Sequence, residues 1–147
     1  MSIRNLCFMF SAVFAVGVMA FAADEKAFKA TCPVSGEAAV EGKSTDYKGG
    51  KVYFCCGDCK ATFESNSAKY ATKANLQLAA TGQATQTKCP LSGGKLNPDT
   101  AVDVSGVKVT FCCNKCQAKV ADAKGDAQLD LAFKDDAFAK AFEVKKK

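Results

Sequence analysis

The cysteines constrain this chain more than any other feature. Three of them crowd into five positions in Val52-Tyr53-Phe54-Cys55-Cys56-Gly57-Asp58-Cys59. The same crowding returns in Val109-Thr110-Phe111-Cys112-Cys113-Asn114-Lys115-Cys116. Each cluster is preceded at the same distance by another cysteine, in Cys32-Pro33-Val34-Ser35-Gly36 and in Cys89-Pro90-Leu91-Ser92-Gly93. Every one of these cysteines recurs at one fixed offset, Cys32 at Cys89 and Cys59 at Cys116. Segments 31–60 and 88–117 align without a gap at 12 of 30 identical positions. A spacing held to the residue across two copies implies a fixed arrangement of sulfurs. Thiolates around a soft metal ion demand such an arrangement.

The chain has no histidine. That removes Ser-His-Asp and Cys-His nucleophile arrangements, an imidazole general base and the His-rich centres of hydrolytic zinc enzymes. Any metal must be held by sulfur, with carboxylate or backbone help, and a non-enzymatic role is expected. Thiolates are soft and anionic, so they suit Zn(II), Cu(I) and other thiophilic ions. Of the 20 basic residues only Arg4 is an arginine, and 15 acidic residues oppose them. Scattered lysines without arginine do not make a nucleic-acid patch, and the tail Lys145-Lys146-Lys147 reads as a solvated end.

Residues 1–22 read as a secretory signal peptide. Arg4 supplies the positive start, Leu6 to Met19 is an apolar run, and Ala20-Phe21-Ala22 fits the small-x-small cleavage rule. Cys7 lies early in the apolar run and leaves with it. The run is short for a membrane span. The expected product is therefore exported, to a bacterial periplasm or cell surface, with no stable span after cleavage. Residues 23–30 form a lead-in, 31–82 the first repeat, 83–87 a linker, and 88–147 the second repeat with a closing helix and the lysine tail.

The fold class expected is α+β, as two small treble-clef-like zinc-finger repeats. Each comprises a cysteine turn, a β-hairpin and following helices. Asp46 to Phe54 reads as a hairpin with Gly49-Gly50 at its turn. Val102 to Phe111 is the equivalent, around Ser105-Gly106. Val52 and Phe54 share a face, as do Val109 and Phe111, and should be core. Helices are expected from Gly57-Asp58, with Cys59 and Phe63 at helical spacing, and from the matching position before Cys116 and Val120. Further helices should follow Asn66 up to about Gly82, around Gln128 to Ala132, and over Asp135 to Val144, where Phe138 and Phe142 fall at i, i+4. The partial positive charge of a helix N-terminus is expected to favour the thiolates of Cys59 and Cys116.

Lys51 to Glu64, closing with Asn66-Ser67-Ala68-Lys69-Tyr70, resembles the YHS domain. It is also similar to the related TRASH domain, a cysteine pattern that its family links to heavy-metal trafficking, resistance and sensing. The spacing of one cysteine, about twenty residues, then two cysteines separated by three matches Cys32, Cys55 and Cys59, and equally Cys89, Cys112 and Cys116. The likeness covers most of each copy, and hence most of the chain after the signal peptide. Two departures stand out. Ser35 and Ser92 take the place where relatives often carry a second cysteine, and Cys56 and Cys113 add a thiol where many have serine. In the second copy Val120 replaces the Phe.

The core ligands expected are therefore Cys32, Cys55 and Cys59, with Cys89, Cys112 and Cys116 in the second copy. Cys56 and Cys113 are open between a fourth ligand, a redox thiol and a disulfide partner. Strand neighbours point to opposite faces, which makes adjacent cysteines awkward ligands for one tetrahedral ion. The cofactor implied is Zn2+ or another thiophilic ion, Cu+ included. The service implied is sequestration, delivery or sensing, with metal ions and a metal transporter or another exported protein as partners. Two other readings compete. Eight cysteines in an oxidising compartment suit a disulfide-stapled scaffold or interaction module. Cys56 with Cys59, and Cys113 with Cys116, also have the Cys-x-x-Cys spacing of thiol–disulfide exchange.

Overall fold

The computed structural model describes residues 29–146. The expected signal peptide and most of the lead-in lie outside the described residues, as does Lys147. The first copy contributes strands β1 (Val40–Tyr47) and β2 (Gly50–Phe54), helix α1 (Gly57–Ser65), a 3-10 turn (Ser67–Tyr70), helix α2 (Ala71–Ala80) and strand β3 (Ala84–Gln86). The second contributes β4 (Asn97–Val104), β5 (Val107–Phe111), α3 (Asn114–Asp122), α4 (Asp126–Phe133), α5 (Asp135–Ala141) and β6 (Phe142–Val144). The architecture is α+β, built from three separate two-stranded antiparallel sheets: β1–β2, β4–β5 and β3–β6.

The fixed offset between the copies survives in three dimensions. It carries β1 onto β4, β2 onto β5 and α1 onto α3 without adjustment, and each hairpin has an irregularity at the same place, Val40/Ser44 and Asn97/Ala101. In β2 and β5 the alternating residues Val52, Phe54, Val109 and Phe111 are fully buried, as the period-two pattern requires. From α1 and α3, Phe63 and Val120 reach the same interior. Core Phe63 packs against Phe54 and Tyr47, ring centroids 5.3 Å apart in both cases.

The structure corrects three expectations. The first hairpin turns at Lys48-Gly49, one residue before Gly49-Gly50, because Tyr47 pairs with Gly50 and both intervening residues take positive φ (51° and 87°). A two-residue turn of this hand matches the twist of its flanking strands. Ser105-Gly106 behaves identically in the second copy. The segment expected as a linker contains β3. The closing helix stops at Ala141, and β6 follows it to pair with β3, Ala84 opposite Val144 and Gln86 opposite Phe142.

That pairing joins the copies along their backbones, and the side chains join them more thoroughly. The buried residues of both copies form one hydrophobic cluster, running from Val52, Phe54 and Leu78 to Val109, Phe111, Phe133 and Phe142. Phe142 stacks on Phe138 (5.1 Å, 9° between planes) and leans on Phe133 at 5.4 Å. The closing segment thus covers apolar surface that neither repeat would bury alone.

Candidate metal centre

Three elements deliver the sulfurs of each copy to one point. The cysteine turn provides Cys32 or Cys89. It is closed by hydrogen bonds from Cys32 N–H to Glu37 O (2.7 Å) and Gly36 N–H to Cys32 O (2.9 Å), repeated as Cys89 to Gly94 (3.0 Å) and Gly93 to Cys89 (2.8 Å). Gly36 and Gly93 hold φ of 82° and 73°, which a Cβ would strain. The end of β2 or β5 provides Cys55 or Cys112. The first turn of α1 or α3 provides Cys59 or Cys116.

Within each triad, Cys32–Cys55–Cys59 and Cys89–Cys112–Cys116, the sulfurs all lie within 4.8 Å of one another. Cys55 and Cys59 sulfurs are 3.6 Å apart, and those of Cys112 and Cys116 are 3.7 Å apart. Tetrahedral zinc with sulfur at about 2.3 Å places its ligand sulfurs about 3.8 Å from each other. The triads therefore have the spacing of ligands that share one ion. A disulfide needs about 2.05 Å, and all eight cysteines from Cys32 to Cys116 are free thiols. One cysteine of each triad, Cys32 or Cys89, is fully buried, while the others are partly buried.

The fourth thiol of each copy stands apart. Cys56 and Cys113 fall outside the triads, although their sulfurs lie 3.7 Å from those of Cys55 and Cys112. Each occupies the N-cap of the following helix with extended backbone. Cys56 sulfur accepts the Cys59 N–H at 3.4 Å, a bond that Ser or Asp commonly makes at this position. Ser35 and Ser92, in place of a second turn cysteine, set their hydroxyls against the triads at 3.2 Å from Cys55 and 3.0 Å from Cys112. Each hydroxyl oxygen also accepts a turn N–H, from Glu37 (3.2 Å) or Gly94 (3.1 Å).

The electrostatics of the two copies agree. Burial works against ionising Cys32, but the Ser35 hydroxyl and the N–H groups of Ser35, Cys55 and Val34 outweigh it and bring the thiol down to about 7. Cys89 comes down to about 7 in the same way, through Ser92, Cys112 and Leu91 against burial. Cys59 is pushed up to about 12 by hydrogen bonding with the Cys56 and Cys55 thiols and by burial. Cys116 is likewise pushed up to about 12, by burial first and then by Cys112 and Cys113. The expected thiolate at the helix start is thus displaced. The N-terminal N–H of Cys59 is aimed at Cys56, and Cys56 is the thiol it lowers. Cys113 is lowered as well, chiefly by the nearby Cys116 N–H and the Cys112 thiol, although its sulfur makes no cap hydrogen bond. A cation entering the triad would meet an anion on Cys32 and displace a proton from Cys59.

Measured against family models, curated proteins and solved structures, the chain matches none of them. The functional reading therefore stands on this geometry.

Proposed function

We propose that this chain is a non-enzymatic, exported metal-binding protein of YHS/TRASH-like type, holding one thiophilic ion in each of two treble-clef-like repeats. One observation carries the reading: three sulfurs from three separate elements converge within 4.8 Å, and they do so twice. The ligands are Cys32, Cys55 and Cys59, then Cys89, Cys112 and Cys116. Cys56 and Cys113 stand beside them at the helix N-caps. Zn(II) and Cu(I) fit the donor set, because thiolate softness favours both. Sequestration or delivery of such an ion outside the cytoplasm, to a transporter or another exported protein, is the service that follows. The signal-like stretch before Ala23 supports that placement, and the YHS/TRASH resemblance of Lys51 to Tyr70 supports the service. No described helix is long and apolar enough to cross a membrane.

Native mass spectrometry of chain recovered from the exported fraction without reductant tests the proposal. Two ions per chain, with the triad thiols resisting alkylation until a chelator is added, is the expected result. A metal-free chain about 8 Da lighter than the reduced form would mean four disulfides, each closure removing two hydrogens, and would end the metal reading.

A further inference from the structure

Two glutamines outside the cysteine pattern make the same three hydrogen bonds at the two triads. Gln77, on α2, accepts Tyr53 N–H at 2.7 Å through Oε1, and its Nε2 donates to Tyr53 O and to Thr31 O, both at 2.8 Å. Gln86, on β3, accepts Thr110 N–H at 2.9 Å, and its Nε2 donates to Thr110 O at 2.6 Å and to Lys88 O at 3.0 Å. Tyr53 and Thr110 are equivalent under the repeat offset, and so are Thr31 and Lys88. The glutamines are not. One lies 24 residues after its strand partner and the other 24 residues before it. The offset carries Gln77 to Lys134, and Gln86 back to Lys29.

The shared geometry has a clear mechanical meaning. Tyr53 and Thr110 lie two positions before Cys55 and Cys112, in strands whose only strand partners among the described residues are β1 and β4. The amide acts as one rung of a missing neighbouring strand. Its remaining hydrogen goes to the carbonyl directly before Cys32 or Cys89, so a carboxamide with two donors and one acceptor in use ties the cysteine turn to the strand end. Buried Gln77, 2% exposed, is fully committed to this task. The same clamp reached from unrelated positions in the sequence points to a demand of the triad, not to a relic of duplication.

We propose that Gln77 and Gln86 are positioning residues for the first and second triads, each fixing the distance between the turn cysteine and the strand-end cysteine. The proposal rests on the triads being metal sites. Groups that orient ligands in this way typically change metal affinity by about 10- to 100-fold when removed.

The test uses the whole mature chain and Cd(II) as probe. Affinity is read by competition with a chelator, and the occupied triad is identified by which cysteines resist alkylation. Gln77→Met is expected to weaken Cd(II) at Cys32, Cys55 and Cys59 by about 10-fold or more and leave the second triad unchanged. Gln86→Met should do the reverse. In the metal-free chain, Gln77→Met should speed alkylation of buried Cys32 but not of Cys89. Equal weakening of both triads, tracking a drop in melting temperature, would mean general destabilisation and overturn the proposal, as would no change at either. Should Gln77→Met fail to fold, Gln86→Met, at a residue that is only half-buried, must give the one-sided pattern by itself, with the second triad weakened and the first unchanged. If the unaltered chain takes up no Cd(II), the metal reading fails, and the alkylation rates of Cys32 and Cys89 still decide the clamp.

Discussion

Lys48, at the tip of the first hairpin, donates to the carboxylate of Asp135, the residue that opens α5, at 2.7 Å. Buried Asn75 completes the arrangement. Its Oδ1 accepts from Lys48 (3.2 Å), and its Nδ2 donates to Asp135 (2.8 Å) and to Phe133 O (2.9 Å). Polar side chains thereby lock the first copy to the second, and Lys48 is held in a left-handed conformation that favours glycine.

The acidic and the amide partner should differ sharply in effect. The Asp135 side chain is 54% exposed, so Asp135→Ala is expected to cost about 0.5–1 kcal/mol after solvent screening. Asn75→Ala leaves Phe133 O unpaired beside a small void and is expected to cost about 2 kcal/mol. Urea melts of both variants check the order, and a larger loss in Asp135→Ala would contradict it.

Acid should release the same lock. Burial raises the Asp135 carboxyl, but hydrogen bonds from Lys48 and Asn75 and the Lys48 charge bring it below the usual carboxylate value. A carboxyl depressed on folding contributes stability that is fully present above its unfolded value, about 3.9, and is lost as pH falls through the folded value. The difference in stability between the parent chain and Asp135→Asn is therefore expected to hold at pH 6 and shrink below about pH 4. A difference independent of pH would remove the carboxylate from the account.

Proton release should accompany metal uptake. With Cys59 and Cys116 up at about 12 and Cys32 and Cys89 near 7, a chain at pH 8 carries protons on the first pair and few on the second. Metal must displace those protons, so apparent affinity rises with pH. The rise is steeper below pH 7, where Cys32 and Cys89 also compete, and continues more gently above it. Chelator competition between pH 6 and 9 measures this, and a flat profile would mean that Cys59 and Cys116 are not ligands.

Gly50 is expected to resist replacement for want of space. A Cβ there would stand 2.8 Å from Leu78 Cδ2, 3.0 Å from Gln83 Oε1 and 3.3 Å from Val144 Cγ1. Gln83 is not free to withdraw, since it accepts Lys51 N–H and donates to Lys51 O, both at 2.7 Å. Gly50→Ala should cost about 1–2 kcal/mol in thermal melts. Val107 fills the equivalent position in the second copy, so the restriction belongs to the packing of α2 and β6 and not to the hairpin.

What the sequence disclosed followed the repeat. Turn, hairpin and helix obey local rules, namely glycine at positive φ, alternation in Val52 and Phe54, and helical spacing of Cys59 and Phe63 after Gly57-Asp58, and the second copy repeats the first two of these rules. The triads were legible for the same reason. The strands β3 and β6 were not, because so short a run forms a strand only where a partner is brought to it. That partner is distant in the chain, Val144 coming to Ala84 and Phe142 to Gln86. Gln77 and Gln86 were hidden too. Their task is defined by the backbone they reach, and the two do not align with each other. The protonation order within the triad was hidden as well, because it depends on contacts made only in the fold: the Ser35 hydroxyl and turn N–H groups against Cys32, and the Cys56 and Cys55 thiols against Cys59.

The shared core should make the two copies unfold together. Phe133 is fully buried and packs with Phe142, which follows a helix of the second copy, pairs with Gln86 of β3 and belongs to the same cluster as Phe54 and Leu78. Phe133→Ala removes a buried ring and is expected to cost about 3–5 kcal/mol, a large part of the stability of a domain this size. The loss should appear equally in a probe of the first copy, such as the near-ultraviolet signal of Tyr47 and Tyr53, and in amide exchange over α3 and α4. If the first copy kept its melting temperature while the second melted early, the repeats would be separate folding units, and the β3–β6 pairing would be an adhesion between finished domains.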